Sequence, residues 1–212
     1  MKITKFVIIF IVLLSFVVGI YFYNQFPDKV ASHWGINGEI NGYMSKFWGL
    51  FLMPIIGLIM FLMFIIIPKI DPLKENINKF RKYFDWFIII IMLFLFYLYL
   101  LTIFWNLGKE FNMVRALIPA FAILFYYAGV LIGHAKKNWF IGVRTPWTMH
   151  SDAVWDKTHK LGSRLFKISA IISLFGLIIP SIAFWLVIIP IILFSLYLVV
   201  YSYFEYKKET VQ

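Results

Sequence analysis

The sequence predicts an all-α, polytopic membrane protein with six transmembrane helices. Three observations predict it. The chain has 212 residues, of which 62% are hydrophobic and only 14% charged, and its mean hydropathy is +0.86. A water-soluble domain of that composition would expose large apolar patches. The apolar residues also fall in charge-free blocks of about 20, the length that crosses a bilayer of roughly 30 Å. Finally, the basic residues alternate between sparse and dense from one loop to the next, as the positive-inside rule requires. No separate soluble domain fits into what remains. The chain has no cysteine, which excludes disulfides and thiol chemistry. The net charge of +10 reads as orientation and anionic-lipid contact rather than nucleic-acid binding.

The first span covers 6–23, after Lys2 and Lys5. Its apolar run is too long for a secretory h-region and no small-residue cleavage site follows, so it reads as an uncleaved helix. The loop 24–46 is rich in turn residues, with Asn37-Gly38 and Asn41-Gly42 supplying the positive φ that tight turns need. Asp28, after Pro27, is expected to cap a short helix over 29–34. Span 2 (47–67) contains Pro54 and Gly57. A short basic loop with an interfacial helix over 73–84 leads to span 3 (86–105), bracketed by Trp86 and Trp105 as an aromatic belt would be. Span 4 is 113–133. Ile168 to Phe204 is 37 residues without a charge; one helix of that length would reach about 55 Å, so Pro180-Ser181 is expected to divide it into span 5 (161–179) and span 6 (182–204).

With both termini cytoplasmic, Lys29, Lys46, Lys109 and Arg115 fall outside and the other sixteen Lys and Arg fall inside. That asymmetry sets the orientation and favours an even number of spans. It places 24–46 outside and the long polar interval 134–164 in the cytoplasm. The chain then reads as one integrated membrane domain of two regions, 1–70 and 71–212.

No span carries an ionisable residue in its central part. Such residues mark ion paths and proton relays, so function is expected in the loops. In the outer loop His33 and Trp34 lie near Asp28 and Glu39. These types suit divalent ions, but the spacing matches no diagnostic metal motif, and His33 reads as a loop-packing residue. In the inner loop Asp152, Asp156 and His159 fit one helical face; the competing reading is that Ser151 or Asp152 caps a helix and Asp156 pairs with Lys160. His33 and His159 are thus weak metal candidates, and no cofactor is expected. Arg144-Thr145-Pro146-Trp147 reads as extended, since proline disfavours helix before it. An amphipathic helix then starts at Ser151, with Val154, Trp155, Thr158, Leu161 and Leu165 on its apolar stripe and Asp152, Asp156, His159, Lys160 and Ser163 on its wet side. That helix lies on the inner leaflet or docks a cytoplasmic partner through Arg144, Trp147 and Trp155.

The run Asn138-Trp139-Phe140-Ile141-Gly142-Val143-Arg144-Thr145-Pro146-Trp147-Thr148, followed by Val154-Trp155 and Thr158-His159-Lys160-Leu161-Gly162, resembles the signature of the SdpI family. The outer-loop residues Pro27-Asp28-Lys29-Val30, His33-Trp34, Gly38-Glu39, Gly42-Tyr43 and Ser45-Lys46 are similar to the DUF1648 domain that accompanies it. Together the two motifs cover nearly the whole chain. Ala31, Asn41 and Lys160 depart from the proline, aspartate and arginine usual there; Asn41 weakens a carboxylate metal site, and Lys160 keeps a charge without arginine's fork. The resemblance implies a non-enzymatic bacterial plasma-membrane protein giving immunity to a secreted antimicrobial peptide, and in the founding member also capture of a cytoplasmic repressor. It implies outer contacts from Pro27, Asp28, His33, Trp34, Gly38, Glu39 and Lys46. It implies an inner surface from Asn138, Phe140, Gly142, Arg144, Thr145, Pro146, Trp147, Trp155, Thr158 and His159. A small permease or exporter and a metal-dependent membrane enzyme are the alternatives. The sequence sets no oligomeric state.

Overall fold

In a computed structural model, which describes residues 2–210, the chain is mostly helical. Helix α1 (Lys2–Phe22) leads into a two-stranded hairpin, β1 (Lys29–Trp34) and β2 (Ile40–Ser45). Helices α2 (Lys46–Ile70), α3 (Lys74–Lys79), α4 (Arg81–Asn106) and α5 (Met113–His134) follow. The polar interval contains α6 (Pro146–His150) and flows into α7 (Asp152–Leu174); two short 3₁₀ turns, Phe175–Leu177 and Pro180–Ile182, lead to α8 (Ala183–Thr210). Among the described residues five helical segments are long and apolar enough to cross a membrane: Ile3–Phe22, Lys46–Ile70, Arg81–Asn106, Met113–His134 and Pro180–Thr210. The protein is therefore a multi-pass membrane protein. Of the polar tail after α8's apolar run, Val211 and Gln212 lie outside the described residues.

Four expectations are corrected. Residues 29–34 form a strand of a small hairpin, not a capped helix, in an otherwise helical membrane fold. Val30 and Ala31 are adjacent and both buried, at 1% exposure each; successive strand residues point to opposite faces, so β1 is covered on both sides at this point. Asp28 instead accepts at its backbone oxygen from Lys46 N–H (2.9 Å) and pairs with the Lys46 ammonium at 3.4 Å. The interfacial helix expected over 73–84 breaks at Phe80, leaving α3 short and giving Arg81 onward to α4. The amphipathic helix and the fifth span are one continuous helix, α7, whose charged first half removes it from the five apolar segments. Finally, α7 does not keep His159 on a wet side: the imidazole is 2% exposed.

The hairpin is held by its register and by side chains that imitate backbone. Lys29 pairs with Ser45, Val30 with Met44 and Ala31 with Tyr43, before irregularities around His33. Gly38, at φ +90°, closes the tip, where only glycine turns without strain. The free edge of β1 is not left bare. Asn106, at the end of α4, accepts from Ala31 N–H (2.8 Å) and donates back to the Ala31 carbonyl (3.0 Å), as a neighbouring strand would. Asn112 donates to the Asn37 carbonyl at 3.2 Å. Val30 drops against Gly49 of α2, where a Cβ would lie 2.1 Å from its Cγ2. Replacing Asn106 by Leu removes both edge bonds and leaves a partly buried N–H and carbonyl unpaired, at about 1–3 kcal/mol each before relaxation. The expected result is hairpin-selective loosening: faster amide exchange over 29–34, with exchange in α5 unchanged. Equal protection of β1 in both proteins counts against this account.

Helix packing follows membrane rules, in which small residues allow backbones to approach. Helices α5 and α7 run antiparallel. Gly129 and Gly133 of α5 meet Ser163 of α7, with hypothetical Cβ atoms only 2.8 and 2.7 Å from Ser163 O and Oγ. At the far end Gly176 faces Ile118 and Ala183. The apolar half of α7 therefore covers the same depth as α5, a candidate span.

Candidate functional site

Two polar regions sit at opposite ends of the helix bundle. The hairpin and the 106–112 loop are bonded to one another at one end. At the other end Asp71, Asn76 and the 135–151 interval are bonded together.

Beneath the hairpin lies a cavity of about 710 Å³, bounded by β1 and β2 and by α2, α4, α5 and α8. Its walls are mostly apolar, including Leu52, Leu98, Leu117, Phe121 and Val187, and His33, Trp34 and Glu39 stand at the hairpin side. The size suits a ligand-sized site, which is concave and mostly apolar with few polar groups. His33 is exposed, its Nδ1 bonded to the Asn41 side chain. Trp34 packs edge-on to Trp105 at 5.9 Å, so α4 fixes its angle. Its indole N–H is buried with no acceptor among the described residues. Pro27, Asp28 and Lys46 lie at the base of the hairpin, away from this cavity. Thr102, Asn106, Ser169 and Ser173 are the helix-borne polar side chains that a permease path could use, and among the described residues they are otherwise engaged. Thr102 alone lines the apolar cavity. Asn106 holds β1, and the two serines bond to carbonyls of their own helix.

The second polar region is built around two satisfied polar side chains and one aromatic stack. Asn138 is fully buried and all its hydrogen-bonding groups are used. Nδ2 donates to the Lys136 and Ile141 carbonyls (2.8 and 2.9 Å), and Oδ1 accepts from Phe140 and Ile141 N–H (2.9 and 2.6 Å). This forces the turn that brings Gly142 over α7. Gly142 adopts φ +116°, and a Cβ there would lie 2.3 Å from His159 Nε2. Val143 N–H donates to that Nε2 at 3.0 Å, while Nδ1 bonds the Trp155 carbonyl at 2.8 Å. The imidazole is therefore neutral, with its hydrogen on Nδ1. It stacks on Trp155 at 3.9 Å, and the Trp155 indole donates to the Ala135 carbonyl at 2.8 Å. Thr145 and Thr148 form a reciprocal capping box that starts α6 at Pro146. Thr145 Oγ1 also reaches Ser202 Oγ of α8 at 3.0 Å. Trp147 packs on Tyr203 at 5.2 Å. Arg144 donates to the Trp139 carbonyl and is exposed.

Asn138, Thr145, Trp155, Thr158 and His159 are thus interior residues, while Phe140 and Arg144 are exposed. The carboxylate–imidazole cluster does not assemble. Asp152 pairs with Lys137, and Asp156 pairs with Lys136 at 3.6 Å rather than with Lys160. Among the described residues no group of three His, Asp or Glu could hold a metal ion. Ser151 does cap α7, accepting from Val154 N–H at 3.2 Å. Sequence reasoning missed Asp71. It is 2% exposed and ties the second loop to the signature loop, accepting from Leu73 N–H (2.6 Å) and Trp139 N–H (2.9 Å). Its signal was the Asp71-Pro72 turn pair; its long-range partner had none.

Burial is the largest influence on His159 and pushes its imidazole down to about 4 from 6.5, against smaller upward pulls from the Trp155 carbonyl and Asp156. Between those values the unfolded chain takes up a proton that the folded chain excludes. Stability therefore rises with pH through that window, is complete above it, and is lost as pH falls toward 4. The full difference is on the order of 3 kcal/mol. The expected result is a melting temperature in detergent that falls from about pH 6.5 to 4.5, less steeply in His159→Gln. Parallel profiles for the two proteins would remove His159 as the cause.

A family model described as SdpI/YfhL protein family matches residues 134–202, and one described as a domain of unknown function, DUF1648, matches residues 10–58. The chain is 31% identical over 207 residues to a protein named Immunity protein SdpI from Bacillus subtilis (strain 168), covering 94% of each chain. No solved structure matches.

Proposed function

The chain belongs to the SdpI/YfhL family, and from that premise we propose that it is an immunity protein that protects its cell from a secreted antimicrobial peptide. It is a multi-pass protein of the plasma membrane. The single observation that carries the reading is the apolar cavity of about 710 Å³ under the hairpin, a receiving site for a hydrophobic ligand at one end of the bundle. In this reading that end faces outward and both termini are cytoplasmic. α7 serves as the sixth span, because its apolar half lies against α5 over the same depth. His33, Trp34 and Glu39 are the outer contacts, with Pro27, Asp28, Gly38 and Lys46 shaping the hairpin that carries them.

The inner region is the second half of the proposal. Phe140 is 37% exposed, and Trp139, beside it, is 52% exposed. With Arg144 they form the surface offered to a cytoplasmic repressor, since aromatic and arginine side chains dominate protein contacts. Asn138, Gly142, Thr145, Pro146, Trp155, Thr158 and His159 hold that surface in shape, and Trp147 joins it to α8.

Expression in toxin-sensitive cells tests the immunity reading. Survival should rise with the wild-type protein and fall back with a variant whose cavity is filled, Leu117→Trp, at equal membrane levels. No protection against a panel of secreted membrane-active peptides would end it. Orientation is tested separately. Because the chain has no cysteine, Asn37→Cys should react with an impermeant thiol reagent on whole cells, and Asp156→Cys only after permeabilisation. The reverse pattern would invert the topology.

A further inference from the structure

The cavity under the hairpin is asymmetric in charge. Apart from His33, Glu39 is the one acidic or basic side chain in its lining, and no Lys or Arg lines it. The Glu39 carboxylate lies over Gly35, is exposed, and makes no ion pair among the described residues. The cations at this end are placed elsewhere: Lys29 starts β1 at the base of the hairpin, outside the cavity lining. Lys46 pairs with Asp28 and lies 4.9 Å from the Tyr23 ring, and Lys109 lies 5.3 Å from the Phe104 ring. Arg115 lines a separate cavity of about 230 Å³ beside the hairpin tip. An anionic lipid headgroup is recognised by Lys, Arg or a run of free backbone N–H groups, and this mouth presents a carboxylate instead. A long apolar wall ending in an unpaired negative charge complements the opposite pattern.

We propose that this cavity binds an apolar peptide segment flanked by a positively charged residue, with apolar side chains filling the space and the cation meeting Glu39. The proposal rests on the immunity reading for the choice of a peptide over other hydrophobic ligands, and adds the charge and the counter-ion. The pair forms at a partly desolvated mouth, so it contributes selectivity more than affinity.

The full chain is placed in nanodiscs of zwitterionic phosphatidylcholine. The probe is a short Leu-rich peptide carrying a dansyl group and a terminal Lys, compared with the same peptide ending in Glu. Energy transfer from tryptophan is read against empty nanodiscs. The Lys peptide should bind saturably and about fivefold more tightly than the Glu peptide. Glu39→Gln should abolish that difference while saturable binding persists. Leu117→Trp, or Val187→Phe should the first variant fail to fold, should abolish saturable binding of both peptides. Equal affinity in the wild type, a preference that survives Glu39→Gln, or undiminished binding to both filled variants would overturn the proposal. So would displacement of the Lys peptide by added phosphatidylglycerol without an effect of Glu39→Gln, which would assign the cavity to lipid. Charge-selective binding without protection in cells would keep this site and remove the immunity reading. Equal affinity for the two peptides, with protection that is lost on filling the cavity, would do the reverse.

Discussion

Replacing Gly142 by alanine is expected to cost about 4 kcal/mol, most of the stability of a protein at the low end of the ordinary range of about 5–15 kcal/mol. Two independent penalties add. A φ of +116° lies where a residue with a Cβ carries roughly 1–3 kcal/mol of strain. The new methyl would also lie 2.3 Å from His159 Nε2, and the imidazole has nowhere to retreat because it is stacked on Trp155 at 3.9 Å. Moving it breaks the Val143 bond and leaves buried polar groups unpaired, about 1–3 kcal/mol more. The melting temperature of the detergent-purified variant should drop far below that of Trp139→Ala, which trims an exposed side chain in the same loop. A Gly142→Ala protein that melts within a few degrees of wild type would show that the loop can lift off α7 at little cost. The double variant Gly142→Ala, His159→Ala separates the two penalties, since it removes the overlap and keeps the strain.

The same residues show what the sequence makes legible and what it hides. Apolar blocks of bilayer length are local and unambiguous, which is why α1, α2, α4, α5 and α8 sit where hydropathy puts them. Pro180-Ser181 divides the last block because proline starts a new helical turn more easily than it continues an old one. The hairpin was half visible. Asn37-Gly38 announced the turn, but Lys29–Trp34 is six residues long, short enough for a cap signal at Asp28 to compete with strand alternation. The arbiter was non-local: Asn106, 75 positions beyond Ala31, supplies the edge partner. The burial of His159 is hidden in the sequence for a related reason. Helical periodicity gives the side of α7 on which it lies, but not that the Asn138 turn folds back to cover that side. Asp71 is the extreme case, a carboxylate whose second partner is 68 positions away. In both polar regions the residue types signalled importance, and only tertiary geometry separates those that brace the structure from those that face outward.

The α5–α7 seam yields the second large effect. Gly129→Val should be more damaging than its small volume change suggests, because the nearest obstacle to a Cβ is Ser163 O at 2.8 Å, a backbone atom that no rotamer change can move. Separating the helices there forfeits close packing along a contact that also includes Gly133 and Gly162. In lipid, dispersion and packing hold helices together without a hydrophobic drive. A cost on the order of 3 kcal/mol follows from overpacking against a rigid neighbour. Alanine at Gly57 is the control, since a Cβ there would make ordinary contact at 3.5 Å with the flexible end of Met92. The effect also bears on topology. α7 carries Arg164 and Lys167, and Lys167 lies 5.8 Å over the Tyr126 ring of α5, so in the proposal that α7 is the sixth span its place in the bilayer rests on α5. Gly129→Val should therefore raise the reactivity of Ser173→Cys toward an impermeant thiol reagent, whereas Gly57→Ala should leave it unreactive. Unchanged protection of position 173, with the melting temperature lowered, would mean that the apolar half of α7 inserts on its own and that the seam adds stability without setting the path of the chain.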